Sequence, residues 1–125
     1  GELTMIAFKA NGFPFSGEVA CDGADALDFL HGKDPENLPA LILLDMNMPR
    51  VSGLEFLKQM RSDVRLSSLA VCVLTSSGQE SDKAGAYELG AVDYIIKPVD
   101  LAEFDAVVGR IRKLMEAVIH HDLRH

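Results

Sequence analysis

The feature that most constrains the fold of this chain is an uninterrupted apolar run at residues 40–44, Ala-Leu-Ile-Leu-Leu, which leads into Asp45. A run of this length suits a β-strand that is buried on both faces, as in a parallel sheet covered by helices. Residues 69–74 and 92–96 are two further apolar strand candidates, and segments with helical spacing lie between the strands. This alternation predicts an α/β fold with a doubly wound parallel sheet and right-handed crossovers.

The other segments continue the same alternation. Apolar spacing predicts helices at residues 3–10, from 24 to near Gly32, and at 54–60, 81–89 and 101–118, and a short strand at residues 18–21. Gly53 lies at the entrance of the third predicted helix, Gly90 is a suitable stop for the fourth, and Asp100 caps the last. Because the chain opens on a predicted helix, the usual first strand of such a fold is absent from the expected elements.

Length and charge restrict the function. The 125 residues form one domain, expected to span 1–125, and no apolar run approaches the ~20 residues that a membrane span needs. With 12 basic and 19 acidic residues the net charge is −7, which disfavours nucleic acid as a partner and favours proteins or small phosphorylated donors. Cys21 and Cys72 lie in apolar segments and are expected to be buried free thiols, in keeping with a cytoplasmic protein.

Three successive predicted strands each end in a residue that can do chemistry. Asp45, Thr75 and Lys97 follow the strands at 40–44, 69–74 and 92–96. Because sites in open α/β sheets form at the carboxyl ends of the strands, the three side chains should converge in one crevice. Each one alone has an ordinary explanation as a turn, strand-end or loop residue. Together they supply a nucleophilic carboxylate and two groups that can bind the oxygens of a phosphoryl group.

These residues lie in three motifs that resemble a known family. Residues 41–53 (Leu-Ile-Leu-Leu-Asp-Met-Asn-Met-Pro-Arg-Val-Ser-Gly) look like the phosphoacceptor motif of CheY-like response regulator receiver domains. Residues 73–76 (Val-Leu-Thr-Ser) and 90–98 (Gly-Ala-Val-Asp-Tyr-Ile-Ile-Lys-Pro) are similar to the two later motifs of that family in order and spacing. The resemblance extends from Glu2 to about Val118.

The resemblance implies a role for each matching position. Asp45 would accept the phosphoryl group from a phosphohistidine of a sensor histidine kinase, while Thr75 and Lys97 hold phosphoryl oxygens. Asn47 would offer its backbone carbonyl to Mg²⁺, which Asp45 also binds. Tyr94 would be an aromatic switch that turns inward when Thr75 moves, although a half-exposed strand residue is the ordinary expectation there. The domain would be a regulatory phosphoacceptor and no enzyme beyond its own phosphorylation and dephosphorylation.

The start of the chain departs from the family pattern. In the flavodoxin-like strand order 2-1-3-4-5, the family carries a pair of acidic residues at the end of the central first strand, which is not expected here. Glu2 is a poor substitute for that pair, and Mg²⁺ would then have too few oxygen ligands for firm binding. We expect the strand and the acidic pair in about ten residues upstream of Gly1. Ser76 stands where many receivers have alanine.

The resemblance also implies partners. A changed protein-binding face would carry the output to a downstream protein target. That face is expected on the fourth predicted helix, the last strand and the last helix, which serve the family in homodimers. Features of residues 31–39, 74–77 and 97–100 are similar to single-domain receivers that partner bacterial phytochrome kinases.

Two other functions stay open. An aspartyl phosphatase of the haloacid dehalogenase type also uses a strand-end aspartate, but it needs a second aspartate where Asn47 stands, and a later acidic pair where Asp122 is alone. A phosphorylation-independent pseudo-receiver would fit the missing acidic pair, although it would not need Asp45, Thr75 and Lys97. The histidines at 120, 121 and 125 are expected to lie on an exposed helix end, not in a metal site.

Overall fold

A computed structural model describes residues 5–9, 16–20, 27–28, 30–32, 34, 38, 41–46, 52–76, 80–97 and 100–123. The strands are β1 (Met5–Lys9), β2 (Ser16–Ala20), β3 (Leu41–Leu44), β4 (Ala70–Thr75) and β5 (Asp93–Ile96). The helices with defined bounds are α1 (Gly53–Ser62), α2 (Glu80–Glu88) and α3 (Leu101–Leu123). Residues 27, 28, 30 and 31 are also helical, within the predicted helix that runs from residue 24 to near Gly32. The fourth and last predicted helices correspond to α2 and α3.

The strands form one sheet in the order β2-β1-β3-β4-β5, which confirms the expected order and the α/β class. β3, β4 and β5 are mutually parallel, with Leu44 opposite Val73 and Thr75 opposite Ile96. Their carboxyl ends therefore lie at the same edge of the sheet, and this edge carries the predicted site.

The first predicted helix, at residues 3–10, is wrong, and so is the expectation that the central position is empty. Met5–Lys9 is a strand that pairs antiparallel with both β2 and β3, so the sheet is mixed. A short run such as Met5 to Phe8 fits either a helix or a strand. The edge of β3 decides between them, because its buried N–H and C=O groups need partners, which β1 supplies.

The core lies on both faces of β3, as its continuous apolar sequence predicts. Successive strand residues point to opposite faces. Ile42 and Leu44 pack in the cluster that contains Phe56 of α1 and Ala86 of α2. Leu41 and Leu43 pack in the second cluster, with Ile111 and Met115 of α3 among others. All four side chains of β3 are buried, so helices cover the sheet on each side.

The predicted helix boundaries at Gly90 and Asp100 are confirmed. Gly90 has a φ of 84°, a left-handed conformation that glycine adopts without steric cost, and it follows α2. Asp100 accepts a hydrogen bond from the backbone N–H of Glu103 at 2.8 Å, as an N-cap residue does. α3 continues five residues beyond the predicted end at Val118, to Leu123.

Arg61, near the end of α1, joins three parts of the fold that the sequence does not link. Its guanidinium donates to the backbone carbonyls of Leu89 at 2.6 Å, Leu69 at 2.8 Å and Ser67 at 3.0 Å. A further bond reaches the carbonyl of Gly90 at 3.3 Å. Burial lowers the pKa of Arg61, but the four acceptors replace the water that the guanidinium loses. Arg61 thus holds the loop before β4 and the end of α2 against α1.

Replacement of Arg61 by leucine is expected to reduce the free energy of unfolding by about 2–3 kcal/mol, because part-buried carbonyls lose charged donors. Arg61→Lys should recover part of this loss, since an ammonium cannot reproduce the planar fork of donors. Urea unfolding measures both variants. Lys58→Leu, at an exposed position of the same helix, should change the stability by no more than about 0.5 kcal/mol. Equal stability of Arg61→Leu and the parent would contradict the assignment.

Candidate functional site

Asp45 is a buried carboxylate at the carboxyl end of β3. Its exposed fraction is 5%, which is low for an acidic residue. Thr75 is the last residue of β4 and is fully buried, whereas Lys97 directly follows β5 and has a side chain that is 34% exposed. The parallel register of the three strands brings these side chains to the same edge.

The three side chains contact one another through the two oxygens of Asp45. Thr75 Oγ1 donates to Asp45 Oδ1 at 3.1 Å, and Lys97 Nζ donates to Asp45 Oδ2 at 2.7 Å. The ion pair balances the buried negative charge, and the charge-assisted bond is short, as expected for such a pair. The arrangement holds a carboxylate beside a hydroxyl and an ammonium, both of which can turn to the oxygens of an incoming phosphoryl group.

Tyr94, the predicted switch residue, lies inward. It is 6% exposed and belongs to the core cluster that includes Ala86 of α2, so the half-exposed position considered from the sequence is wrong. Tyr94 lies opposite Val73 in the β4–β5 pairing, two residues from Thr75 along β4. Ser76, directly after Thr75, is exposed.

The metal-binding predictions rest on residues that the structure describes only in part. Asn47 and Glu2 lie outside the described residues. Within the described ranges, no group of three or more His, Cys, Asp or Glu side chains could hold a metal ion. The carboxylate of Asp45 is a hard oxygen donor of the kind that Mg²⁺ prefers.

The predictions for cysteine and histidine have separate outcomes. Cys72 is a fully buried free thiol, as predicted, and burial raises its pKa to about 12. Cys21 and His125 lie outside the described residues. The backbone of His120 and His121 belongs to α3, but their side chains are not described.

The face formed by α2, β5 and α3 contains a charged group that sequence analysis missed. Asp93 of β5 accepts two hydrogen bonds from Arg110 of α3, one of them from Nε at 2.6 Å. Tyr87 of α2 donates to the same carboxylate at 3.5 Å, so Asp93 connects all three elements. Ile96 and Leu101 are exposed apolar side chains on β5 and α3. The 17-residue separation of Asp93 and Arg110 explains why no local pattern signalled the pair.

The charges around Asp93 predict a pH dependence. Burial disfavours the carboxylate, but the hydrogen bonds from Arg110 and the N–H of Tyr94 outweigh it and hold the pKa of Asp93 below its ordinary value. The stabilisation is therefore complete above the unfolded-state pKa of about 3.9 and disappears as the pH falls through the lower folded-state pKa. Because Arg110 is half exposed, we expect about 0.5–1 kcal/mol.

Asp93→Asn tests this dependence in urea unfolding at several pH values. The variant should be less stable than the parent at neutral pH, and the difference should shrink below about pH 4. Arg110→Gln should reproduce this pattern, since it removes the other partner. A difference between Asp93→Asn and the parent that does not change with pH would contradict the pairing.

Comparison with known proteins identifies the relatives of this chain. The family model described as "Response regulator receiver domain" matches residues 3–109. The response regulator Rre1 of Synechocystis sp. is 33% identical over 114 residues, which cover 91% of this chain and 48% of that protein. The chain thus spans about half the length of this relative. In the described part of this chain, no helix is long and apolar enough to cross a membrane.

Solved structures also resemble this chain. The phosphorylated cyanobacterial phytochrome response regulator RcpA superposes with a TM-score of 0.68 at 33% identity, covering 77% of this chain and 71% of RcpA. The Mn²⁺-bound form of response regulator Rcp1 superposes with a TM-score of 0.57 at 34% identity, covering 78% of this chain and 65% of Rcp1.

Proposed function

We propose that this chain, which belongs to the response regulator receiver domain family, is a phosphoacceptor switch of two-component signalling. In this switch, Asp45 receives the phosphoryl group. The observation that carries the proposal is the contact of Thr75 and Lys97 with separate oxygens of Asp45, at 3.1 Å and 2.7 Å. A structural aspartate would need neither a buried hydroxyl nor an ammonium from two other strand ends. An acceptor needs both, because the transferred group brings its own oxygens.

The transfer uses these three side chains in turn. One carboxylate oxygen of Asp45 attacks phosphorus, the bond from phosphorus to the donor histidine nitrogen breaks, and that nitrogen keeps the electron pair and takes up a proton. The carboxylate loses its negative charge when it becomes an acyl phosphate. Lys97 then pairs with a phosphoryl oxygen in place of Asp45 Oδ2, and the hydroxyl of Thr75 donates to another.

Mg²⁺ belongs to the same proposal. Asp45 and the backbone carbonyl of Asn47 would hold it, and the ion would neutralise the charge of the phosphoryl oxygens during transfer. The chemistry of the donor set supports this choice, since both ligands are hard oxygens. The Mn²⁺-bound form of Rcp1 shows that a relative of this chain takes a divalent cation.

The proposed partners follow from the family. Response regulators interact with sensor histidine kinases, and the likeness to a phytochrome response regulator favours a kinase of the phytochrome class as the partner. The proposed compartment of this interaction is the cytoplasm. The face formed by α2, β5 and α3 is the proposed contact for a downstream protein or a second copy of the chain. Its exposed Ile96 and Leu101 support a protein partner, and the net charge of −7 argues against nucleic acid.

Incubation with acetyl phosphate and Mg²⁺, followed by intact-mass measurement, tests the proposal. We expect one phosphoryl group per chain, and no adduct when a chelator removes the cation. Absence of any adduct under either condition would favour the pseudo-receiver. Steady hydrolysis of a phosphomonoester such as p-nitrophenyl phosphate would favour the phosphatase.

A further inference from the structure

The start of α1 lies unusually close to the peptide that carries Asp45. The backbone N–H of Gly53 donates to the carbonyl of Met46 at 3.0 Å. A Cβ atom at Gly53 would lie 2.6 Å from Met46 Cα and 2.8 Å from the carbonyl oxygen of Asp45. The first distance is about 1 Å shorter than the ~3.5 Å separation of carbon atoms in van der Waals contact. Both neighbouring atoms belong to the backbone, so no side-chain rotation can relieve the contact.

The helix cannot easily retreat from this contact. Ser52 is the N-cap of α1, and its Oγ accepts a hydrogen bond from the N–H of Glu55 at 3.2 Å. Phe56 and Leu57, in the first turns of α1, are fully buried in the core against the sheet. Displacement of α1 would disturb this packing, so a side chain at position 53 would instead displace the backbone of Asp45 and Met46.

We infer that Gly53 is a positioning residue for phosphoryl transfer, which acts by setting where the backbone of Asp45 lies. The inference rests on the proposed role of Asp45. The carboxylate of Asp45 is held at its far end by Thr75 and Lys97. At the near end, the next residue, Met46, accepts a hydrogen bond from the N–H of Gly53 at 3.0 Å, and only a residue without Cβ fits so close to the Asp45 backbone. A shift of the backbone changes the position of the carboxylate relative to both partners. Misplacement by about 1 Å is enough to slow a reaction about 100-fold.

Gly53→Ala tests the inference, with Gly109→Ala as the matched control. Gly109 lies in α3, and a Cβ atom there would meet nothing within 4 Å. Phosphoryl uptake from acetyl phosphate and Mg²⁺ should slow about 10- to 100-fold in Gly53→Ala and change less than about twofold in Gly109→Ala. Circular dichroism and thermal unfolding establish that each variant is folded. A folded Gly53→Ala with the uptake rate of the parent would overturn the inference.

A second readout separates positioning from a general loss of structure. The ¹³Cγ NMR signal of Asp45 should shift in Gly53→Ala and stay in place in Gly109→Ala, because only the first variant moves the carboxylate. This signal can be measured even if the parent takes up no phosphate, an outcome that would count against the proposed function alone. An unshifted Asp45 signal in Gly53→Ala would count against the role of Gly53.

Ser52→Ala decides the question if Gly53→Ala does not fold. It removes the cap that holds the first turn of α1 but adds no atom near Asp45. Uptake should slow about threefold or more, and the Asp45 signal should shift, since the first turn of α1 then fixes Gly53 against Met46 less firmly. Unchanged uptake together with an unchanged Asp45 signal in this variant would overturn the inference.

Discussion

Replacement of Asp45 by asparagine is expected to abolish phosphoryl uptake altogether. The amide has nearly the shape of the carboxylate and can still accept a hydrogen bond from Thr75, but its nitrogen and oxygen are not nucleophiles at neutral pH. The variant also removes the negative charge that Lys97 faces at 2.7 Å. We therefore expect a folded protein with no adduct in the intact-mass assay with acetyl phosphate and Mg²⁺.

Asp105→Asn is the matched control for this experiment. Asp105 is an exposed residue of α3, so the variant makes the same chemical change outside the site. It should take up phosphate at the rate of the parent. If Asp45→Asn forms as much phosphoryl adduct as the parent, another residue is the acceptor and the assignment of the site is wrong.

Removal of the ammonium in Lys97→Ala is expected to leave the fold intact but to separate phosphorylation from its effect on the protein surface. In the proposed switch, Lys97 leaves Asp45 for a phosphoryl oxygen, and this contact stabilises the phosphorylated form. A hydrogen bond to a charged group contributes about 1.5–3 kcal/mol. This corresponds to roughly a 10- to 100-fold change in the equilibrium between the two forms. Thr75→Ala should act in the same direction.

The measurement is self-association or partner binding through the face formed by α2, β5 and α3, with and without phosphorylation. Sedimentation velocity detects a second copy of the chain directly. Lys58→Ala removes an exposed ammonium from α1 and should behave as the parent, and Thr75→Ser should retain the switch because it keeps the hydroxyl. If Lys97→Ala and Thr75→Ala both respond to phosphorylation as the parent does, the proposed relay is wrong.

Local sequence was sufficient to predict the edge of the sheet that carries the site. The apolar run before Asp45 is too continuous for a half-exposed strand, and the predicted strands before Thr75 and Lys97 have a similar character. Parallel strands must then bring the residues after them to one edge, whatever the length of chain between them. Lys97 is 52 residues from Asp45 in the chain. The contacts of Asp45 with Thr75 and Lys97 were nevertheless predictable from the apolar pattern of the strands and the topology of a parallel sheet.

The sequence by itself thus determined the α/β class, the buried strand β3 and the residues that follow the three parallel strands. Tertiary structure alone decided the secondary structure of residues 5–9, because their local apolar pattern fitted both a helix and a strand. The backbone groups of β3 needed hydrogen-bond partners, and a strand at residues 5–9 supplies them. It also decided the contacts of Arg61 with distant carbonyls and the pairing of Asp93 with Arg110. The closeness of Gly53 to Asp45 belongs with these, since it depends on how α1 packs on the sheet. Each of these features depends on distances between segments that are remote in the chain, and a local pattern of residue types does not contain such distances.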